Sequence, residues 1–279
     1  MKLRCWGTRG SVPVSGPEYD RYGGDTTCFE IRSKNDAILV IDAGTGIRRL
    51  GSQLQAEGRS ELTLLFTHTH WDHVLGLLFF KPLYDPQMRI ALFECPGLQG
   101  NISSLLARVM SPPLFPVSFR ALPSRLEALA WAGPQLMVDS LQVTRIALSH
   151  PNLGAGYRVE EDGKSFVLLT DNELSEHHRG GRGFEEYAAF CQGADLLAHD
   201  AEYTPEEYPL RRGWGHSTFL DAARLAKAAG VRTLGLTHHS QERDDAGVDE
   251  VVRRCQEALS GPGHVPGCLA LSQYSEFLF

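Results

Sequence analysis

The feature that most constrains how this chain can fold is a cluster of metal-binding side chains directly after a buried strand. Three imidazoles and one carboxylate occur within six residues, in the run His68-Thr69-His70-Trp71-Asp72-His73. Residues 61–66 have the apolar pattern of a buried strand, and residues 74–80 form an apolar, helix-like run. A strand end fixes the loop that follows it, and imidazole nitrogens with a carboxylate oxygen suit zinc, manganese or iron. The sequence therefore predicts a divalent metal site at the end of a sheet strand.

Three further candidate ligands lie just past other predicted strands. They are His150 after residues 141–148, Asp171 after residues 165–169, and His238 after residues 233–236. Because strand ends can meet at one edge of the sheets, these side chains could join the 68–73 run in one site. Taken alone, each also has an ordinary interpretation, such as a loop histidine or a turn aspartate.

The other elements predict strands and helices that follow one another without a linker. Residues 26–32 and 37–41 predict a hairpin, 42–46 a turn, and 47–56 an amphipathic helix. Further predicted strands are 89–93, 155–159 and 195–198, and further helices are 102–109, 217–229 and 245–259. Residues 98–137 include several prolines and are expected to be irregular, as a loop or lid. We expect one α/β domain over residues 1–279, with sheets packed face to face and helices outside.

Composition excludes several classes of protein. Apolar residues make up 42% and charged residues 22%, which is enough for a core and gives no case for disorder. No apolar run approaches the ~20 residues needed to span a bilayer, and the first residues contain no signal-peptide core. The six cysteines form no C-x-x-C pair, so we expect reduced thiols in a cytoplasmic protein. The net charge of −7 argues against binding long nucleic acid through its phosphates.

The motifs also resemble one family. The pattern H-x-H-x-D-H, followed by a histidine, an aspartate and a late histidine, resembles the metallo-β-lactamase fold superfamily. Five segments resemble its cyclic-phosphodiesterase and ribonuclease Z branch, namely residues 7–11, 23–28, 42–46, 67–76 and 213–218. The resemblance runs over residues 3–245 and implies an αββα sandwich of two mixed sheets with helices outside.

The resemblance implies two zinc ions, with manganese as a possible substitute, held by seven side chains. The ligands of the first ion would be His68, His70 and His150, those of the second Asp72, His73 and His238, and Asp171 would bridge both. The neighbouring His239 stays open as an alternative to His238. Asp42 would support the metal loop through hydrogen bonds.

A carboxylate–imidazole pair is implied beside the metals, and with Asp72 it completes the expected catalytic residues. In the resembled branch, a carboxylate orients a histidine that faces the scissile phosphate, and the matching positions are Asp200 and His216. Such a pair can donate a proton to a leaving alkoxide. His199 and Glu202 are alternatives for the orienting role, and His216 could instead belong to a helix cap. The two histidines at 177 and 178 are expected at the surface.

From this pattern we expect a phosphodiesterase that hydrolyses a small cyclic phosphodiester, such as a cyclic nucleotide, with a hydroxide activated by two metals. The alternative is a ribonuclease Z-like tRNA 3′-end endonuclease. That family generally carries a long basic arm after the bridging aspartate, whereas residues 171–200 leave room for a short loop and a helix. Another hydrolase of the same fold stays open, such as a β-lactamase. A binding module without catalysis is disfavoured, because no expected ligand is missing. The branch also implies a homodimer.

Overall fold

The computed structural model describes residues 1–93, 102–261, 263 and 265–279. Cys95 and the first residues of the 98–137 region lie outside these ranges. Within the described ranges, no helix combines the length and the apolar character needed to cross a membrane. The strands in this part of the chain form two seven-stranded sheets.

The strands, in chain order, are β1 (Lys2–Gly7), β2 (Cys28–Arg32), β3 (Ile38–Ile41), β4 (Glu61–Leu65), β5 (Arg89–Phe93), β6 (Arg125–Leu129), β7 (Gln135–Val138), β8 (Leu141–Ala147), β9 (Ala155–Glu161), β10 (Lys164–Leu169), β11 (Leu196–Asp200), β12 (Thr233–Thr237), β13 (Gly267–Ala270) and β14 (Glu276–Leu278). The α-helices are α1 (Ile47–Ala56), α2 (Trp71–Val74), α3 (Ile102–Val109), α4 (Phe184–Cys191), α5 (Phe219–Ala228) and α6 (Asp245–Leu259).

Each sheet is mixed, with an antiparallel half and a parallel half. The first sheet has the order β14-β1-β2-β3-β4-β5-β6, and it is parallel from β3 to β6. The second has the order β13-β12-β11-β10-β9-β8-β7, and it is parallel from β10 to β13. The loops after β4, β8, β10 and β12 contain the predicted ligands, and β11 ends at Asp200.

The core lies in three layers because successive residues of a buried strand face opposite sides of the sheet. In β3, Leu39 and Ile41 join a cluster that contains residues of both sheets. Ile38 and Val40 face outward and share a second cluster with Leu50 of α1. A third cluster joins the outer face of the second sheet to α4, α5 and α6. The expected αββα sandwich is confirmed.

Two segments differ from the sequence expectation. Residues 98–137 were expected to be irregular, yet β6 pairs parallel with β5 and β7 pairs antiparallel with β8. Both are edge strands with largely exposed side chains, so they lack the buried pattern by which a central strand is recognised. The helix-like run 74–80 is largely a 3-10 helix, Leu75–Phe79, after the single turn of α2.

Candidate metal centre

The metal-binding run is held in place by a buried aspartate behind it. Asp42 follows β3 and accepts hydrogen bonds from the backbone N–H and the hydroxyl of Thr67, each at 2.7 Å. Its Oδ2 also lies 2.8 Å from Nδ1 of His73. This contact fixes the ring of His73 and leaves its Nε2 directed away from Asp42. The arrangement is the support that the sequence predicted for Asp42.

Asp171 lies between two groups of imidazoles and faces each group with a different oxygen. Its Oδ1 is 3.2 Å from Nε2 of His73 and 3.4 Å from Nε2 of His238. Its Oδ2 is 3.6 Å from Nε2 of His68 and 4.0 Å from Nε2 of His150. A carboxylate placed in this way can share its two oxygens between two ions.

The second sheet contributes His150 in a defined tautomer. Its Nδ1 lies 3.0 Å from the backbone oxygen of Gly215, so this nitrogen carries the hydrogen and donates. The other nitrogen, Nε2, then presents a lone pair 3.1 Å from Nδ1 of His70. Burial lowers the pKa of His150 to about 4, which keeps the ring neutral at physiological pH. A neutral imidazole is the form that binds a metal ion.

Of the two adjacent histidines after β12, the structure brings His238 into the cluster. Its Nε2 is 3.1 Å from Oδ2 of Asp72, and its Nδ1 is 2.9 Å from Oε2 of Glu202. His239 points elsewhere, with Nε2 bonded to the backbone oxygen of Leu271 at 2.8 Å. His238 has a φ of +58°, a left-handed backbone conformation that is uncommon for a residue other than glycine.

The donor atoms form two adjacent sets that suit two divalent cations. Within each set all donor atoms lie within 4.8 Å of one another; the first contains His68, His70 and His150, and the second contains Asp72, His73, Asp171 and His238. Among the described residues, the buried Nε2 atoms of His68 and His73 have no hydrogen-bond partner. A buried polar atom without a partner is costly, and a bound cation would satisfy both nitrogens. The residues present therefore fit a dimetal site.

Beside the cluster, His216 is paired with Asp200 at the end of β11. Nδ1 of His216 is 2.7 Å from Oδ2 of Asp200 and 3.5 Å from Oε2 of Glu202. Burial by itself would lower the pKa of His216, but the charges of Glu202 and Asp200 outweigh it and raise this pKa to about 9. The ring is thus protonated at neutral pH and can act as a proton donor.

The alternatives to this pair have other partners. Nδ1 of His199 bonds to the backbone oxygen of Asp200 at 2.7 Å, so His199 is not placed to orient His216. The cap of α5 is made by Thr218, whose side chain accepts from the N–H of Asp221. The cap of α5 is therefore formed without the side chain of His216.

One buried carboxylate beside the site, Glu173, was not among the residues that the sequence indicated. Glu173 is fully buried, and its carboxylate accepts hydrogen bonds at 2.7 Å from the N–H groups of Gly213 and Gly215. It also accepts at 2.7 Å from the hydroxyl of Tyr208 and lies 2.7 Å from Nε2 of His178. His178 is therefore half-buried, whereas its neighbour at 177 is exposed as expected. The available signal was an acidic residue two positions after Asp171, directly past a strand end.

Known proteins resemble this chain along nearly its whole length. A protein named Ribonuclease Z from Haloarcula marismortui is 27% identical, over 94% of this chain and 93% of that protein. The metallo-beta-lactamase fold protein YhfI from Bacillus subtilis has a TM-score of 0.71 at 17% identity, over 99% of both chains. The short form of human tRNase Z has a TM-score of 0.61 at 22% identity, over 87% of this chain and 94% of that one. The two structural likenesses show the fold alone.

Two expectations are corrected by these relatives. The expectation of a small cyclic phosphodiester as substrate is wrong, and so is the expectation that long nucleic acid is an unlikely partner, because curated near-full-length relatives are named Ribonuclease Z. A cyclic nucleotide and a tRNA precursor both present a phosphodiester to the cluster. The metal-binding residues alone therefore do not indicate which of the two is the substrate. A net charge sums over the whole surface and says little about a local patch.

The family is identified by a match over most of the chain. Residues 38–239 match the sequence model of the family described as Beta-lactamase superfamily domain. That range contains the 68–73 run, His150, Asp171, His238 and the pair of His216 with Asp200. Two mixed sheets with helices outside are also shared with the solved structures of this fold. The chain therefore belongs to the metallo-β-lactamase superfamily.

Proposed function

We propose that this protein is a metal-dependent endoribonuclease of the ribonuclease Z kind, which hydrolyses the phosphodiester bond at the 3′ end of tRNA precursors. The chain is a hydrolase of the metallo-β-lactamase fold, and cleavage of tRNA precursors is the specific activity that we propose for it. The observation that carries the proposal is the His216–Asp200 pair beside two adjoining donor sets, in a chain whose near-full-length relatives are named Ribonuclease Z.

Two zinc ions suit the donor sets, and manganese could replace them. The first ion would be held by His68, His70 and His150, the second by Asp72, His73 and His238, and Asp171 would bridge the two. When bound, such ions lower the pKa of water and neutralise charge on the phosphoryl oxygens. Asp42, Gly215 and Glu202 hold His73, His150 and His238 in orientation through the contacts described above.

The chain's own contribution to bond cleavage is the proton held by His216. Asp200 accepts from Nδ1, so the proton on Nε2 is free to move to the leaving ribose oxygen as the phosphodiester bond breaks. A ribose alkoxide is a poor leaving group, and protonation in the transition state lowers its barrier. The carboxylates of Glu202 and Asp200 raise the pKa of His216, which favours the protonated ring that such a donor needs.

The test is cleavage of a tRNA precursor that carries a 3′ trailer and a 5′ label. We expect the zinc-loaded protein to convert it into a labelled tRNA and a free trailer, and to leave the mature tRNA intact. The Asp171→Ala variant, matched for folding by circular dichroism, should be inactive. The proposal fails if the metal-loaded wild-type protein leaves the precursor intact.

A further inference from the structure

Two tryptophans at the rim of the metal centre are more than half exposed. Trp71 is 56% exposed and Trp214 is 62% exposed. Tryptophan is normally largely buried, because its indole has a large apolar surface. Two such rings beside one site indicate a ligand surface rather than ordinary packing.

The two rings belong to loops that meet at the cluster. Trp71 lies between His70 and Asp72, and His70 is half-buried. Nδ1 of His70 is 3.1 Å from Nε2 of His150, whose Nδ1 is bonded at 3.0 Å to the backbone oxygen of Gly215. Gly215 directly follows Trp214. The tryptophans therefore flank the point where the two sheets bring their ligands together.

Both rings are carried by backbone that is held in place. Trp71 begins α2, where the following Asp72 and His73 are buried in the site. Trp214 lies between Gly213 and Gly215, whose N–H groups both donate to the buried carboxylate of Glu173 at 2.7 Å. A ring on fixed backbone loses little conformational freedom when a ligand binds, which favours binding.

The backbone that carries the second ring is also tied to the turn before it. The backbone N–H of Trp214 donates to the backbone oxygen of Arg211 at 3.1 Å. The guanidinium of Arg212 is paired with Glu176 at 2.6 Å and that of Arg211 lies over the ring of Tyr203, so both groups already have partners in the protein and the exposed indole itself is the feature offered to a flat base. The fully described segment 172–195 contains one helix, the eight-residue α4, and no long arm that could grip a folded RNA from a distance.

We propose that Trp71 and Trp214 are stacking platforms for unpaired RNA bases on either side of the phosphodiester that enters the metal centre. This inference deepens the proposed function and rests on it. The occupant is single-stranded RNA, because indole rings stack on every base and the surface is continuous with the site that receives the phosphate.

The test measures binding rather than cleavage. A short single-stranded RNA with hydrolysis-resistant phosphorothioate linkages is compared with the same RNA carrying abasic sites at its central positions, using the metal-loaded protein. We expect Trp214→Ala to raise the Kd of the intact RNA by about 5- to 100-fold, the usual effect of losing one base–aromatic stack. The same substitution should change the Kd of the abasic RNA little, since the base that stacks is already gone. Trp71→Ala should behave alike.

The controls separate stacking from general damage. Trp214→Phe keeps an aromatic ring and should recover most of the affinity. Leu210→Ala removes an 86% exposed apolar side chain from the same loop and should leave the Kd unchanged. The metal content of each variant is measured, because Trp71 adjoins two candidate ligands; if Trp71→Ala loses metal, the Trp214 variants decide the question.

Two results would overturn the inference. One is a Kd that Trp214→Ala leaves unchanged, or raises equally for intact and abasic RNA. The other is a Trp214→Ala variant that binds RNA as tightly as the wild-type protein but has a different molecular mass by light scattering. That result would assign the surface to contact with a second copy of the chain. Failure of the proposed function would give a different result. A protein that stacks RNA bases on these rings but leaves tRNA precursors uncut would refute the ribonuclease activity and leave the stacking role standing.

Discussion

Asp171 is the residue on which both donor sets depend, because each of its oxygens faces a different set. It has a φ of +51°, in the left-handed region that aspartate tolerates better than most residues. The bend after β10 turns the carboxylate into the cluster rather than along the strand. Replacing this side chain should therefore disturb both ions together.

We expect Asp171→Ala to lower the metal content from about two equivalents per chain to well under two. The measurement is elemental analysis of protein purified in the presence of zinc. The control is Asp162→Ala, which removes an exposed aspartate with a similar φ of +50° from the turn between β9 and β10. Two retained equivalents in the Asp171 variant would rule out the bridging role.

A second expectation concerns His216. His216→Ala should keep the metal content but slow precursor cleavage by roughly 10²- to 10⁴-fold, the usual reach of general acid catalysis. Asp200→Ala should act in the same direction. The loss should be smaller on a substrate with a good leaving group, such as bis(p-nitrophenyl) phosphate. Equal losses on both substrates, or loss of metal, would contradict the proton-donor role.

The pH dependence follows from the raised pKa of His216. Its protonated form is the active one, so this group supports activity below its pKa and loses it as the pH rises through that pKa. The carboxylates of Glu202 and Asp200 raise this pKa, and cations bound nearby would lower it from the value that the carboxylates alone set. We expect an alkaline limb in the kcat/KM profile of the wild-type protein. The alkaline limb should be absent from the kcat/KM profile of His216→Ala. If it persists in that variant, the limb reports the titration of a group other than His216.

Among single residues, the sequence indicated the candidate ligands and one of their supports, Asp42, but not the other supports. Motif spacing and strand ends indicated His68, His150 and Asp171 before any contact was known. Glu173 and the bond between Glu202 and His238 depend on contacts between segments far apart in sequence, which no local pattern reveals. The left-handed backbone of His238 is likewise visible only in three dimensions.

At the scale of elements, the loop of residues 208–215 depends on Glu173. Glu173→Gln removes a charged acceptor from two backbone N–H groups, and a weakened or lost buried hydrogen bond costs about 1–3 kcal/mol. We expect a lower free energy of unfolding in urea and slower precursor cleavage, with metal content retained. The control is Glu61→Gln, which changes an exposed glutamate at the start of β4. If Glu173→Gln left stability and turnover unchanged, the loop of residues 208–215 would not depend on the charge of Glu173.

The elements that the sequence predicted well are those with a buried face. The amphipathic pattern of residues 47–56 matches α1 at both ends, and residues 89–93 match β5. β6 and β7 escaped prediction because edge strands expose most of their side chains and pair on one side only. Prolines earlier in the same region suggested irregularity, but they lie outside both strands. Whether this region closes as a lid stays a prediction.

For the whole molecule, the two sheets cooperate to build one site. The first sheet supplies the 68–73 run after β4, and the second supplies His150, Asp171, Asp200 and His238 at its own strand ends. The site therefore requires the packed sandwich, because its candidate ligands are spread over most of the chain. A net charge of −7 is compatible with this arrangement, because bound cations would set the local charge.

Comparing kcat/KM at physiological salt for a tRNA precursor and for a panel of cyclic nucleotides, with the zinc-loaded protein, tests the proposed ribonuclease activity most directly. We expect the precursor to be the better substrate, with cleavage at its 3′ end. Salt must be held fixed, because affinity for a polyanion falls steeply as salt rises. Hydrolysis of a cyclic nucleotide with no detectable precursor cleavage would show that the protein is not a ribonuclease of this kind.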